Sequence, residues 1–205
     1  VAKKLEQCGP VSYYDNFARE TEFNPAPPVP EGTTAQSVLQ QYIDAVGGAE
    51  QIKAIQDLSI VREAAMGGNG TLMMQTYNAA PNKYALKLII KEAGMELQST
   101  IYDGANVLKT QGGNPQEITE ADATETKIRS YLIPELYYEQ EGASLKLTGT
   151  EMVADRVAYA VEVTYPNGGR TFTAYFDMET GLKLQSISVN ETPNGPVTSV
   201  TSFHN

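Results

Sequence analysis

The chain has 205 residues, 15 Lys and Arg against 25 Asp and Glu (net charge −10), one His, one Cys and no Trp. That length suits one domain with extra material or two small ones, and it supports a real core without disulfide staples. The acidic balance argues against nucleic-acid and anionic-lipid surfaces, while one Cys and one His exclude a disulfide, multi-cysteine metal sites and the paired-histidine zinc motif.

The opening stretch, VAKKLEQCGPVSYYDNF, has no apolar core of the signal-peptide kind, and no run reaches the roughly 20 apolar residues of a membrane span. The reading is a mature chain without a transmembrane segment, its leader or a preceding domain having been cut away. Cys8 follows Glu6 and Gln7, where a lipidation signal wants small residues, so it reads as a small, partly buried thiol. Pro25, Pro27, Pro28 and Pro30 fix φ and remove N–H donors, so this segment runs as a stiff spacer. Residues 1–30 are therefore expected to be a tail and Pro-rich spacer adding little to stability, and residues 31–205 the domain.

A helix follows, capped by Thr33 or Thr34, with Val38, Leu39, Tyr42, Ile43 and Val46 on one apolar stripe and Gly47-Gly48 as its stop. A short second helix carries Ile52 and Ile55 inward. The period then changes to two. LSIVREAAM, TLMMQTYNA, KYALKLIIK, MELQSTIYDG and NVLKT read as strands joined by Gly, Asn or Pro turns, GGNG at Gly67–Gly70 among them, which demands antiparallel neighbours. Residues 117–140 interrupt them with a helix that opens on a Thr119/Asp122 capping box, carries Ile128, Tyr131 and Leu132 inward and ends or kinks at Pro134. Strands resume over SLKLTGTEMV, RVAYAVEVTYP, RTFTAYFDM, LKLQSISVNE and PVTSVTSF, the Asn-Gly pairs between them being strong hairpin signals. The sum is an α+β domain: a large curved antiparallel sheet of about ten strands, an incomplete, half-open β-barrel, with helices covering its concave face.

No catalytic or metal set converges. His204 and Cys8 lack partners in any motif. Asp177–Gly181 starts like a calcium loop but lacks the later ligands and reads as a turn. Glu135, Glu139 and Glu141 beside Tyr137 and Tyr138 read as a solvated acidic surface. The sequons at Asn69 and Asn190 matter only in a secreted eukaryotic protein. The expectation is a non-enzyme without metal or cofactor. Met66, Met73, Met74, Met95 and Met152 in or beside strands suit either an adaptable apolar wall or ordinary core filling. Alternation places Tyr84, Leu86, Leu88 and Ile90 on one side of their strand, with Lys83, Lys87 and Lys91 on the wet side. Leu72 and Met74 on the strand before, and Met95, Leu97 and Ile101 on the strand after, complete the expected apolar ligand face. The helices from 34 and 119 are expected to cover it, at least in part.

YIDAVGGAEQIKAIQDLSI, followed by YDGANV and FDMETGLKL, resembles the periplasmic lipoprotein carriers of the LolA and LolB family over about residues 34–190. Tyr42–Gly48 with Ile52, Ile55 and Leu58 match its helix–Gly-Gly–helix–strand opening, Asp103-Gly104 its central turn, and Asp177, Thr180, Gly181 and Leu182 its D-x-x-T-G-L hairpin. The resemblance implies an incomplete antiparallel barrel closed by helices, with an apolar interior that holds acyl chains in the cell envelope. AKKLEQCGPVSYYDNF, the spacer and YIDAVGG are also similar to the C-terminal part of insulinase-type zinc peptidases of Bacteroidetes, whose zinc motif is absent here. Two functions follow as expectations. The first is a non-catalytic periplasmic or envelope domain binding a lipid or lipoprotein acyl chain. The second is an accessory interaction module at the C-terminus of a larger envelope protein, docked to a preceding domain of the same parent.

Overall fold

A computed structural model describes residues 12–14, 20–21, 26–66, 70–192 and 195–203. Cys8, His204 and most of the Gly67–Gly70 turn, with its Asn69 sequon, lie outside the described residues.

Strands β1 (Tyr13–Tyr14) and β2 (Glu20–Thr21) form a two-stranded ladder of their own. In the proline spacer, the Pro27 carbonyl accepts a hydrogen bond from the Thr150 hydroxyl, which ties the segment to the domain. Thr34 is the cap of helix α1 (Ala35–Ala45): its hydroxyl accepts from the Ser37 amide at 3.1 Å, and the Ser37 hydroxyl accepts from the Thr34 amide at 2.9 Å. Gly47 and Gly48, at φ 115° and 86°, end it and lead into α2 (Ala49–Ala54).

The strands that follow form two antiparallel sheets. The first holds β3 (Asp57–Ala65), β4 (Thr71–Ala79), β5 (Lys83–Ile90), β6 (Met95–Tyr102), β7 (Val107–Gln111) and β8 (Asn114–Pro115), in that order. The second holds β9 (Ser144–Val153), β10 (Arg156–Thr164), β11 (Thr171–Asp177), β12 (Lys183–Thr192) and β13 (Gly195–Ser202), also in sequence order. The antiparallel α+β architecture is as expected. The strands divide into two sheets between β8 and β9, where the helical insertion intervenes, and they do not close into a barrel, in keeping with the expected incomplete, half-open arrangement.

That insertion contains α3 (Glu120–Ser130) and a 3-10 turn (Pro134–Leu136). The Thr119/Asp122 capping box is present. The helix stops before Tyr131, whose ψ of 141° is extended, so Tyr131 and Leu132 are not on its stripe. Pro134 opens the 3-10 turn instead of ending the helix, as its fixed φ allows at a first helical position.

The core sits on the second sheet. Val38, Leu39, Tyr42 and Ile43 of α1, Ile52 of α2 and Ile128 of α3 pack with Tyr138, Val161, Val163, Phe172 and Phe176. The Tyr42 and Phe176 rings lie 5.3 Å apart. The expected position of α1 was over the Leu86 face of the first sheet; its apolar stripe instead packs on the second sheet, against Val161, Val163, Phe172, Ala174 and Phe176. The opposite face of that sheet holds a smaller cluster, Val153, Ala158, Ala160 and Tyr175 with Leu184 and Ile187.

Candidate functional site

The β4–β5 register sets Leu72 opposite Ile90, Met74 opposite Leu88, Thr76 opposite Leu86 and Asn78 opposite Tyr84. These residues share one face of the first sheet, and Ile60 joins them from β3, opposite Thr76. At one end the face is covered. Asn78 donates from its amide nitrogen to the carbonyls of Arg129 and Ser130 at 2.9 and 3.0 Å, so a strand side chain caps the last turn of α3. Tyr84, Thr100 and Tyr102 are buried at that end. At the other end Ile60, Leu72, Met74, Leu86, Leu88 and Ile90 are only half-buried and belong to neither core cluster.

Dimensions explain the incomplete cover. An 11-residue α3 is about 16 Å long and about 10 Å wide. The six strands beneath it span about 24 Å at their usual spacing, and the longest, of 9 residues, run about 30 Å.

The β6 residues of the expected face divide. Ile101 stands opposite Ala85 and Leu108, on the reverse face, and is 43% exposed. Met95 stands opposite Ile90, on the Leu86 face, at the sheet margin and 50% exposed. Leu97 is the extra residue of a β-bulge, because Gln98 pairs with Leu88 while Glu96 pairs with Ile89. A bulge inserts one residue and so reverses the alternation that the spacing of Met95, Leu97 and Ile101 implies.

Between α3 and the sheet lies a cleft of about 280 Å³. Its floor is Tyr84, Leu86, Gln98, Thr100, Val107 and Lys109; its wall is Asp122, Glu125, Thr126 and Arg129 of the helix. Lys109 meets Asp122 at 3.2 Å, and Arg129 meets Glu125 at 2.5 Å. The Thr119 hydroxyl, and then the Lys109 ammonium, hold the Asp122 carboxyl below the usual carboxylate range. Burial works against the Arg129 charge, but the Glu125 carboxylate together with the nearby Tyr84 and Tyr165 outweighs it and holds the guanidinium above its ordinary value. Arg170, stacked at 4.7 Å over Phe172, approaches the same Glu125 at 3.7 Å. The site is thus a groove with one polar, ion-paired end and one apolar, open end. The polar end is absent from the sequence expectation, although the alternate polar positions Gln98 and Thr100 on β6 carry the signal of its floor.

Other candidates resolve differently. Glu135 and Glu141 are not a solvated acidic surface: Glu135 is buried and paired with Lys183, and Glu141 accepts from Tyr131 Oη at 2.6 Å and pairs with Lys127 at 2.5 Å. Low dielectric demands partners, and these carboxylates have them. Asp177 is a turn residue, one oxygen accepting from the Glu179 amide at 2.8 Å and the other facing Arg156. Among the described residues, no three His, Cys, Asp or Glu side chains gather as a metal site would require. A second cleft, about 240 Å³, opens beside Ile52, Ile55, Pro81, Leu132 and the stacked rings of Tyr131 and Tyr137.

No protein-family profile matches this chain, and no curated protein does. Its architecture is similar to a LolA superfamily protein from Nitrosomonas europaea, with 11% identity over 80% of this chain and 74% of the other, at a TM-score of 0.45. It is similar also to a DUF1329 family protein from Desulfovibrio piger, with 13% identity, coverage of 82% and 86%, and a TM-score of 0.43. The Pseudomonas aeruginosa MucA/MucB complex matches at 19% identity over 82% of this chain and 56% of the other, at a TM-score of 0.32.

Proposed function

We propose that this domain binds an acyl chain in the groove beside α3, without catalysis, as a carrier or receptor domain of the cell envelope. One observation carries the reading: Leu72, Met74, Leu86, Leu88 and Ile90 form a continuous apolar floor that the fold leaves half-uncovered and outside both cores. Such a surface gains about 25 cal/mol for each Å² removed from water. An extended acyl chain suits it because the floor is long and narrow, running along β4 and β5 away from the polar cleft. The flexible thioether of Met74 adapts to chains of different shape. The ion-paired end supplies Gln98, Thr100 and Thr126 as hydrogen-bonding groups for the polar end of the lipid.

The uncharged dye N-phenyl-1-naphthylamine should brighten with the chain and be displaced by monolauroylglycerol. Leu88→Glu should abolish both effects while circular dichroism stays near native, since a half-buried site lets the carboxylate reach water. No dye binding by the parent chain, or unfolding of Leu88→Glu, refutes the groove and favours the alternative, an accessory interaction module of a larger envelope protein.

A further inference from the structure

We infer that β13 is a self-pairing edge through which two copies of this chain join antiparallel, strand to strand, about a two-fold axis at Val200. β13 is the outermost strand of the second sheet and pairs, among the described residues, only with β12. Its sequence, GPVTSVTS, carries no charge, and its register with β12 runs from Gly195 to Ser202 without a bulge. Edge strands are ordinarily blunted by charge, bulges or proline, and here Pro196 alone serves, at the first end. The outer strand β3 of the other sheet, in contrast, carries Asp57, Arg62 and Glu63.

Hydrogen bonding fixes which groups are offered. The Phe203 amide donates to the Leu184 carbonyl, so by antiparallel alternation the odd-numbered residues of β13 face β12. Thr198, Val200 and Ser202 therefore turn their N–H and C=O groups outward. Pro196 falls on the same outward parity, where its missing N–H ends the row.

The side chains choose the partner. An axis at Val200 sets Val200 against its own copy, Thr198 against Ser202, Ser199 against Thr201 and Val197 against Phe203. Every pair joins apolar to apolar or hydroxyl to hydroxyl. Val197, Val200 and Phe203 are 50%, 43% and 41% exposed in the single chain, so the apolar pairs have surface to gain. Val200 also continues Ile187, its β12 partner, which packs on the smaller core cluster, so pairing extends an existing apolar row across the axis. No charge of either strand meets its like, although each chain carries −10 overall.

A strand-to-strand contact buries less than a standard interface, so the association is weak. Sedimentation equilibrium of the 205-residue chain between about 10 µM and 1 mM should show the mass rising from one chain to two and stopping there. Val200→Lys places two ammonium groups across the axis and should weaken pairing at least about tenfold with unchanged circular dichroism. Thr198→Pro removes an outward N–H that β12 does not use, and should weaken pairing likewise. Val200→Thr should still pair. A chain monomeric throughout, growth beyond two copies as β13 joins β3 of a neighbour, or undiminished pairing in both Val200→Lys and Thr198→Pro overturns the inference.

Discussion

Asn78→Ala tests how strongly one strand side chain fastens the C-terminal end of α3 to the first sheet. The Asn78 amide serves the carbonyls of Arg129 and Ser130, two acceptors at the helix C-terminus that have no intrahelical donor. Each neutral hydrogen bond contributes about 0.5–1.5 kcal/mol net, and a buried acceptor left without a donor costs more than the bond itself contributed. Ser130 is buried, so its carbonyl loses its donor in a place water does not easily reach, whereas the Arg129 carbonyl is only partly enclosed and rehydrates more easily. The expected cost is about 2–3 kcal/mol, or about 5–10 °C in melting temperature for a chain of this length. Differential scanning calorimetry and urea titration measure it. Asn78→Asp should cost at least as much, because it replaces the donor with an acceptor facing two carbonyls. A loss below about 0.5 kcal/mol in both variants refutes the claim that this contact fastens the helix.

Two further outcomes follow from local geometry. Gly181→Ala should destabilise by more than about 2 kcal/mol, because φ is +75° and a Cβ would meet the Gln41 carbonyl oxygen of α1 at 2.9 Å; urea unfolding that matches the parent counts against it. Burial, and then the Glu151 carboxylate, push the Tyr175 hydroxyl up to about 12, so the neutral form is favoured by folding. Its stabilising contribution is complete below an unfolded tyrosine pKa of about 10 and is lost as pH rises toward about 12, which near-ultraviolet absorbance titration of the parent against Tyr175→Phe resolves.

The sequence was most legible where a local rule has a single outcome. The Thr34 and Thr119 caps, the Gly47-Gly48 stop and the Leu86 face of β5 follow from hydroxyl acceptors, positive φ and a period of two, none of which needs a partner element to be known. It was least legible where the outcome depends on a neighbour. The reversal of Ile101 comes from a bulge at Leu97, a residue with no Gly or Pro to mark it. The burial of Glu135 depends on Lys183, 48 positions later, as its partner. Likewise, α1 carries an apolar stripe that fits either sheet; that it lies on the second, against Val161, Val163 and Phe176, is a long-range pairing that no window of the sequence displays.

The division of labour between the sheets gives the groove its character. The second sheet receives α1, Ile52 and Ile128 on one face and buries Val161, Val163 and Phe176 completely, so it carries the larger share of apolar burial. The first sheet receives one helix of 11 residues, fastened by Asn78 and the Lys109–Asp122 pair at the covered end. Folding therefore does not require the Leu88 end to be dry, which is the condition the proposed acyl-chain site needs. A floor that belonged to the core would unfold the domain when altered. This one lies beyond both core clusters, so its substitution should change binding before it changes the fold, and the Leu88→Glu experiment reads that separation directly.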